Sequence, residues 1–363
     1  MFWDLPYWPR TYIQTVCVSF VIAALGMPVV LYALGRAGVV DAVAHNKIHD
    51  RPIVRGGGIM IFIAFAVAVL LPNYRENPMK GVMLGAFICL AVGAFDDIRG
   101  GIPAAWKFVT LVAVTIIMSR YGVDLHVFKF YPLDLALTIL WMVGCTSAFN
   151  GLDNMDGLAG GVAAIASGIY LIIAVQAFWV AGTETSLSWF GLMAAGLLGA
   201  NLGFLIYNFR PACLFMGDAG SFFLGFTLAA LGVMGEYTPN RLISCTIPVL
   251  ILGVPIFDFV YILVARIVRG DTRTVREVLE HCATDHLSHR LVWIGFSQRQ
   301  AVLIIYLLTL TLGVSGILLR NSTGLLDSVL GLLQSLSIFA IVVVLMAAAA
   351  KAHQKAEKDR AGK

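Results

Sequence analysis

Along this chain, blocks of apolar residues long enough to cross a bilayer alternate with short polar connections. A spanning helix needs about 20 largely apolar residues. Blocks of that kind lie near 11–34, 56–72, 81–95, 104–120, 132–148, 158–181, 187–207, 220–236, 242–266, 299–319 and 324–350. The pattern predicts an all-α polytopic membrane protein with about eleven transmembrane helices, ten being the lower count. Residues 1–350 then form one transmembrane domain. The polar, basic stretch from Lys351 to Lys363 reads as a frayed or disordered tail.

Composition agrees with the pattern. Hydrophobic residues make up 59% of the 363 and charged residues 13%, against roughly 25% charged in soluble domains. Mean hydropathy is +0.86. The net charge of +4 is small and scattered, which excludes nucleic acid as a partner and makes the placement of charge more informative than its sum. The odd-numbered connections and the tail hold roughly 17 of the 25 Lys and Arg, and the even connections with the N-terminus about 7. Positive charge marks the cytoplasmic side, so the N-terminus is expected outside and the C-terminus in the cytoplasm. The N-terminal MFWDLPYWPR has no basic n-region and no small-residue cleavage site, so no removable signal peptide is expected. Its aromatic residues suit a membrane interface. The six cysteines lie mostly in apolar blocks without a C-x-x-C pair, and read as buried small hydrophobes.

The clusters of polar residues that look chemically purposeful all fall on odd connections, and hence at one membrane face. In GAFDDIRGGIPAAWKF, Asp96 and Asp97 are adjacent acids at a helix end, where mutual repulsion favours a bound cation or a raised pKa. Lys107, early in the next block, can reach them as a counter-charge. In AFNGLDNMDGLAGG, Asn150, Asp153 and Asp156 recur every three residues, a spacing that places neighbours on roughly one helical face. In NFRPACLFMGDAGSFFLGF, Asp218 stands where a helix should start, as an N-cap would, in the company of Asn208, Arg210 and Phe215. In HDRPIVRGGGIM, His49 and Arg55 precede three glycines opening a helix, an arrangement that makes an anion site or a merely flexible basic loop. The ninth connection alternates basic and apolar residues, as a segment lying on a membrane surface does, and ends in Asp285, His286, His289 and Arg290. His286 and His289 are spaced to share a helical face and suit phosphate or nucleotide better than zinc.

Acids in excess, cations and glycine-rich helix starts on one face suit a hard cation, Mg²⁺ or Mn²⁺, bound beside a diphosphate. No G-x-x-x-x-G-K-[S/T] loop is present to support ATP-driven chemistry. A secondary transporter also carries intramembrane acids, but near the bilayer midplane and not at helix ends.

At these residues the sequence resembles the polyprenyl-phosphate N-acetylhexosamine-1-phosphate transferase family. The resemblance runs from about Asp41 to Ser297 and rests on HDRPIVRGGG, GAFDDIRG, FNGLDNMDGLAGG, YNFRPACLFMGDAGSFFLGF, VPIFDF and DHLSHRL, in the family's order. It implies transfer of N-acetylhexosamine-1-phosphate from a UDP-N-acetylhexosamine, UDP-GlcNAc first, to undecaprenyl phosphate. UMP is released at the cytoplasmic face of a bacterial inner membrane, in a Mg²⁺-dependent cleft between helix ends. By the same resemblance Asp96 and Asp97 match the acidic pair that handles the lipid phosphate, and Asp218 the acid assigned to the metal. Asn150, Asp153 and Asp156 match positions near nucleotide and metal, with Asp153 a second metal candidate. Phe215 matches an aromatic that stacks on uracil, and His286, His289 and Arg290 match a motif that contacts diphosphate or sugar. Departures exist: Asp41 is followed by Val43, Ala44 and Asn46 where many bacterial relatives read D-x-P-N-x-R. Ser288 replaces the middle histidine of H-x-H-H. The R-G-G-G segment resembles the branches that initiate teichoic acid and O-antigen, and not the phospho-MurNAc-pentapeptide branch, which is the alternative. A homodimer remains open.

Overall fold

The structure is a computed structural model that describes residues 6–41, 52–73, 76–128, 130–181, 188–235, 237–238, 240–270, 286–322 and 324–361. Its elements, in order, are helix α1 (Tyr7–Arg36), strands β1 (Val40–Asp41) and β2 (Ile53–Arg55), and helices α2 (Gly57–Leu70), α3 (Asn77–Arg99), α4 (Ala104–Ser119), α5 (Tyr131–Leu152), α6 (Leu158–Ala181) and α7 (Ser188–Asn208). Then come β3 (Leu214–Phe215), α8 (Gly217–Met234), α9 (Arg241–Ile251), α10 (Gly253–Arg269), a short α11 (Leu287–Trp293), α12 (Gln298–Arg320) and α13 (Leu325–Ala361).

Each apolar block of the sequence is helical, but the blocks are not equivalent. Among the described residues eight helices (α1, α3, α5, α6, α7, α8, α12 and α13) are long and apolar enough to cross a membrane. The α2 and α4 helices, of 14 and 16 residues, are apolar but fall short of the roughly 20 residues a straight span needs. The block expected at 242–266 is broken: α9 and α10 meet at an angle of 82°. Pro255 has no N–H to donate to the carbonyl of Ile251, four residues earlier, so the first helix stops there. The tail, expected to be disordered, continues α13 as helix to Ala361. No glycine or proline lies between Gly331 and Gly362 to stop propagation.

The α8 helix is the centre of the bundle, with 89% of its apolar window buried against 17% in α1 and α13. It packs on α2, α3 and α5, while α7 packs on α1 and α6. Outward-facing Leu25, Val29, Leu140 and Val268 remain exposed, as residues facing lipid do. The Ser297–Gln300 capping box starts α12. Asp134, buried in the first turn of α5, accepts hydrogen bonds from the N–H groups of Val127 and Phe128 at 2.9 and 2.8 Å.

A small sheet supplements the helical reading of the sequence. β1 pairs antiparallel with β2, and β2 pairs parallel with β3, so that Arg55 lies in register with Phe215. This pairing uses the three glycines differently from an anion-binding loop. The N–H of Gly56 donates to the Phe215 carbonyl at 3.2 Å and that of Gly58 to the Met216 carbonyl at 2.9 Å. A Cβ on Gly58 would overlap the backbone of Gly220. Glycine is needed there so that the starts of α2 and α8 can touch.

Candidate active site

The carboxyl end of α3, the amino end of α8 and strand β2 converge on one charged centre. The α3 helix ends at Gly100, in the left-handed region at φ 76°, which leaves Asp96 and Asp97 in its last turn. Asp97 points to α8: its Oδ1 accepts the N–H of Asp218 and its Oδ2 that of Ala219, both at 3.0 Å. It therefore caps the amino end of α8 from another helix, where free N–H groups and the helix dipole favour an anion. Asp96 turns the other way. Its Oδ1 accepts the N–H of Ile102 at 2.5 Å, and its Oδ2 lies 3.0 Å from Lys107 Nζ.

Asp218 was expected as an N-cap. The structure places it one residue inside α8, with Met216 in the cap position. Its Oδ2 accepts a short hydrogen bond from Lys107, and its Oδ1 faces Arg55 Nη2 at 3.9 Å. The Lys107 ammonium thus joins Asp96 to Asp218 and lies over the Phe222 ring. Arg55 faces three carboxylates: Nη1 is 3.8 Å from Asp41, Nε 3.8 Å from Asp97 and Nη2 3.9 Å from Asp218. The Arg55 Nε is buried and has no hydrogen-bond partner among the described residues, a donor suited to a bound anion.

Asp153 adds a fifth acid, close enough to interact electrostatically with Arg55, Asp218 and Asp97. Burial pushes its carboxyl up to about 7, against the pull of Arg55 and with help from Asp218, Asp97 and Asp156. Asp41, Asp96, Asp97, Asp153 and Asp218 thus outnumber Arg55 and Lys107. Among the described residues no three acids or histidines stand close enough to cage an ion. The donor set nevertheless fits a hard cation: it is all carboxylate oxygen with negative charge in excess. An apolar cleft of about 550 Å³ opens beside Asp96, lined by Phe87, Phe95, Ile102, Trp106 and their neighbours.

The remaining expected residues divide. Asn150, Asp153 and Asp156 do not share a helical face, because α5 ends at Leu152 and Gly157 takes φ 77°. They line a turn instead. Asn150 Nδ2 donates to Ser221 Oγ at 2.9 Å, tying α5 to α8, and Asp156 Oδ2 accepts the N–H of Ala212 at 3.2 Å. The buried Asn208 spends its amide on backbone: Oδ1 accepts the Gly157 N–H at 3.0 Å and Nδ2 donates to the Leu214 carbonyl at 2.9 Å. It is a strut that holds the turn against β3, beside half-buried Phe215. His286 precedes α11 in extended backbone, so it does not share a helical face with half-buried His289. Arg290 is buried, lies over the rings of Tyr261 and Trp293, and donates to the Met346 carbonyl at 3.1 Å. It fastens α11 to α10 and α13. His49 and Asp285 lie outside the described residues.

Two site residues carried no assigned role in the sequence reading. Ser288, buried, donates to Asn154 Oδ1 at 2.6 Å. Asp258, in the VPIFDF motif, holds His286 and Leu287. A lone acid inside an apolar block was the available signal for Asp258. The described residues of all five polar clusters are thus joined at one end of the bundle.

A polytopic helical bundle that gathers carboxylates and two cations at its helix ends has the character of a membrane-enzyme site. The family model for glycosyl transferase family 4 matches residues 79–236. The chain is 33% identical over 326 residues to a probable undecaprenyl-phosphate N-acetylglucosaminyl 1-phosphate transferase of Bacillus subtilis, covering 85% of this chain and 86% of that protein. It is 29% identical to a decaprenyl-phosphate N-acetylglucosaminephosphotransferase of Mycolicibacterium smegmatis, over 75% and 73% of the two chains. It is 27% identical to the undecaprenyl-phosphate alpha-N-acetylglucosaminyl 1-phosphate transferase of Escherichia coli K12, over 79% and 78%. The chain belongs to the polyprenyl-phosphate N-acetylhexosamine-1-phosphate transferases of glycosyl transferase family 4, and is a phosphotransferase.

Proposed function

We propose that this enzyme transfers GlcNAc-1-phosphate from UDP-GlcNAc to undecaprenyl phosphate, releases UMP, and so initiates a cell-envelope polysaccharide at the cytoplasmic face of a bacterial inner membrane. The observation that carries this reading is the junction of Asp96, Asp97 and Asp218 through Lys107 and Arg55, in a chain similar to transferases named for undecaprenyl phosphate. The orientation rests on the positive charge of the connections at that end.

In the proposed reaction an oxygen of the lipid phosphate attacks the sugar-linked phosphorus. The bond from that phosphorus to the bridging oxygen breaks, and the electron pair leaves on UMP. Asp96 would orient or deprotonate the nucleophile: both oxygens of Asp97 take backbone N–H groups of α8, whereas one oxygen of Asp96 is held by a side chain, Lys107. Arg55 and Lys107 offset phosphate charge as it redistributes. Asp218 and Asp153 would hold Mg²⁺, or Mn²⁺ in its place. When bound, the ion supplies charge neutralisation of the diphosphate. Phe215, half-buried in β3, would stack on uracil.

The test presents purified chain in detergent with undecaprenyl phosphate, Mg²⁺ and, separately, UDP-GlcNAc, UDP-GalNAc and UDP-MurNAc-pentapeptide, and identifies the lipid product by mass spectrometry. Lipid-linked diphospho-GlcNAc is the expected product. A lipid-linked MurNAc-pentapeptide, or no lipid product, would overturn the assignment. Activity in detergent also excludes transport as the primary function, since transport needs a sealed vesicle.

A further inference from the structure

His286 is held by Asp258 on one side and faces the end of α5 on the other. Its Nδ1 lies 2.8 Å from Asp258 Oδ2, while Asp258 Oδ1 accepts the N–H of Leu287 at 2.7 Å. Asp258 belongs to α10 and is 2% exposed, so its carboxylate is shielded from water and committed to this one segment. The opposite edge of the imidazole faces the end of α5. A Cβ built on Gly151 would lie 3.1 Å from His286 Cε1 and 3.9 Å from Nε2. Ser288, two residues on, is pinned to Asn154 of the same turn. The turn from Asn150 to Asp156 and the start of α11 are therefore docked on one another, with the Nε2 edge of His286 between them.

A carboxylate at Nδ1 keeps the proton on that nitrogen and leaves Nε2 as the variable atom of the ring. With the proton on Nδ1, Nε2 is a hydrogen-bond acceptor. We propose that Asp258 is a positioning residue of the transfer reaction. It fixes the tautomer and direction of His286 so that Nε2 accepts a hydrogen bond from a hydroxyl of the nucleotide sugar at the Asn150–Asp156 turn. This inference rests on the transferase reading proposed above. Asp258 touches no substrate and acts through His286 alone. The competing account is that Asp258 serves only to cap the amino end of α11 through Leu287.

Kinetics of the full chain in detergent separate the two accounts, with UDP-GlcNAc varied at saturating undecaprenyl phosphate. His286→Gln is expected to raise KM for UDP-GlcNAc by about tenfold, the loss of one well-directed hydrogen bond. Asp258→Asn is expected to raise KM by a similar factor with a smaller change in kcat, and Asp258→Glu to recover part of it. The double variant should be no worse than His286→Gln alone, because both remove one contact. If Asp258 is only a cap, its variants lower the unfolding temperature, leave KM in place, and add to the effect of His286→Gln. Additive effects with an active wild type overturn this inference and leave the transferase reading standing. A wild type that transfers nothing from UDP-GlcNAc overturns both.

Discussion

Asp97 holds Asp218 in place through the backbone: the two oxygens of one carboxylate take the N–H groups of Asp218 and Ala219, each at 3.0 Å. The adjacent acids of the sequence therefore divide their work. Asp97 sets the start of α8, and Asp96, with Lys107, faces the side chain of Asp218.

That division predicts different signatures for the two acids. Asp97→Ala should lower both activity and stability, the latter by about 1–2 kcal/mol for a lost helix cap. Asp97→Asn keeps one acceptor and should recover part of the stability. Asp96→Asn should reduce turnover by about 10²–10⁴-fold with the unfolding temperature nearly unchanged. Thermal unfolding and lipid-dependent UMP release on the same preparations check both.

Gly93 tests the same junction sterically. A Cβ there would overlap the peptide between Asp218 and Ala219. Gly93→Ala should displace the start of α8 and cost about 1–3 kcal/mol of stability. UMP release should fall by at least the factor seen for Asp97→Ala. Normal activity would show that the α3–α8 contact does not position Asp218.

Lys107 neutralises two acids at once. Lys107→Met leaves Asp96 and Asp218 facing each other without the ammonium between them, and should destabilise the protein by on the order of 3 kcal/mol. Lys107→Arg keeps charge but not the compact ammonium, and should restore stability more than activity. Unfolding temperatures and turnover of the two variants give the comparison.

Asp153 predicts a dependence on pH. Its carboxyl titrates at about 7 in the fold, against 3.8 for the ordinary group. Unfolded chains therefore lose this proton first as pH rises, and the native state loses stability between those values. In a chelating buffer Asp153→Asn should unfold about 2–4 °C above wild type at pH 8, with the gap narrowing toward pH 4. Added Mg²⁺ should stabilise wild type and not the variant, because the ion favours the ionised carboxylate. Equal response of the two proteins would remove Asp153 from the cation site.

Much of this site is legible in the sequence because its acids are costly anywhere in a membrane protein except where they work. The clusters around Asp96, Asp153 and Asp218 stand out against apolar neighbours, and helix parity brings them to one end. What the sequence conceals is direction. The period of three from Asn150 to Asp156 suggests a helical face, but Gly157 turns the chain and makes a loop. Arg290 looks like a phosphate ligand beside His286 and His289, and instead lies over Tyr261 and Trp293. Asp258 reaches His286 across 28 positions, a pairing that no local spacing reveals. The bend between α9 and α10 was signalled by Gly253 and Pro255, but an apolar block of spanning length hides it.

The central claim is that the junction at Asp218 performs lipid-dependent phosphosugar transfer. Its most direct test is UMP release by purified wild type and Asp218→Asn, given UDP-GlcNAc and Mg²⁺ with and without undecaprenyl phosphate. The account predicts UMP only when the lipid is present, and at least about a hundredfold less from the variant. Lipid-independent UMP, undiminished release by Asp218→Asn, or no release from any UDP-N-acetylhexosamine would contradict it.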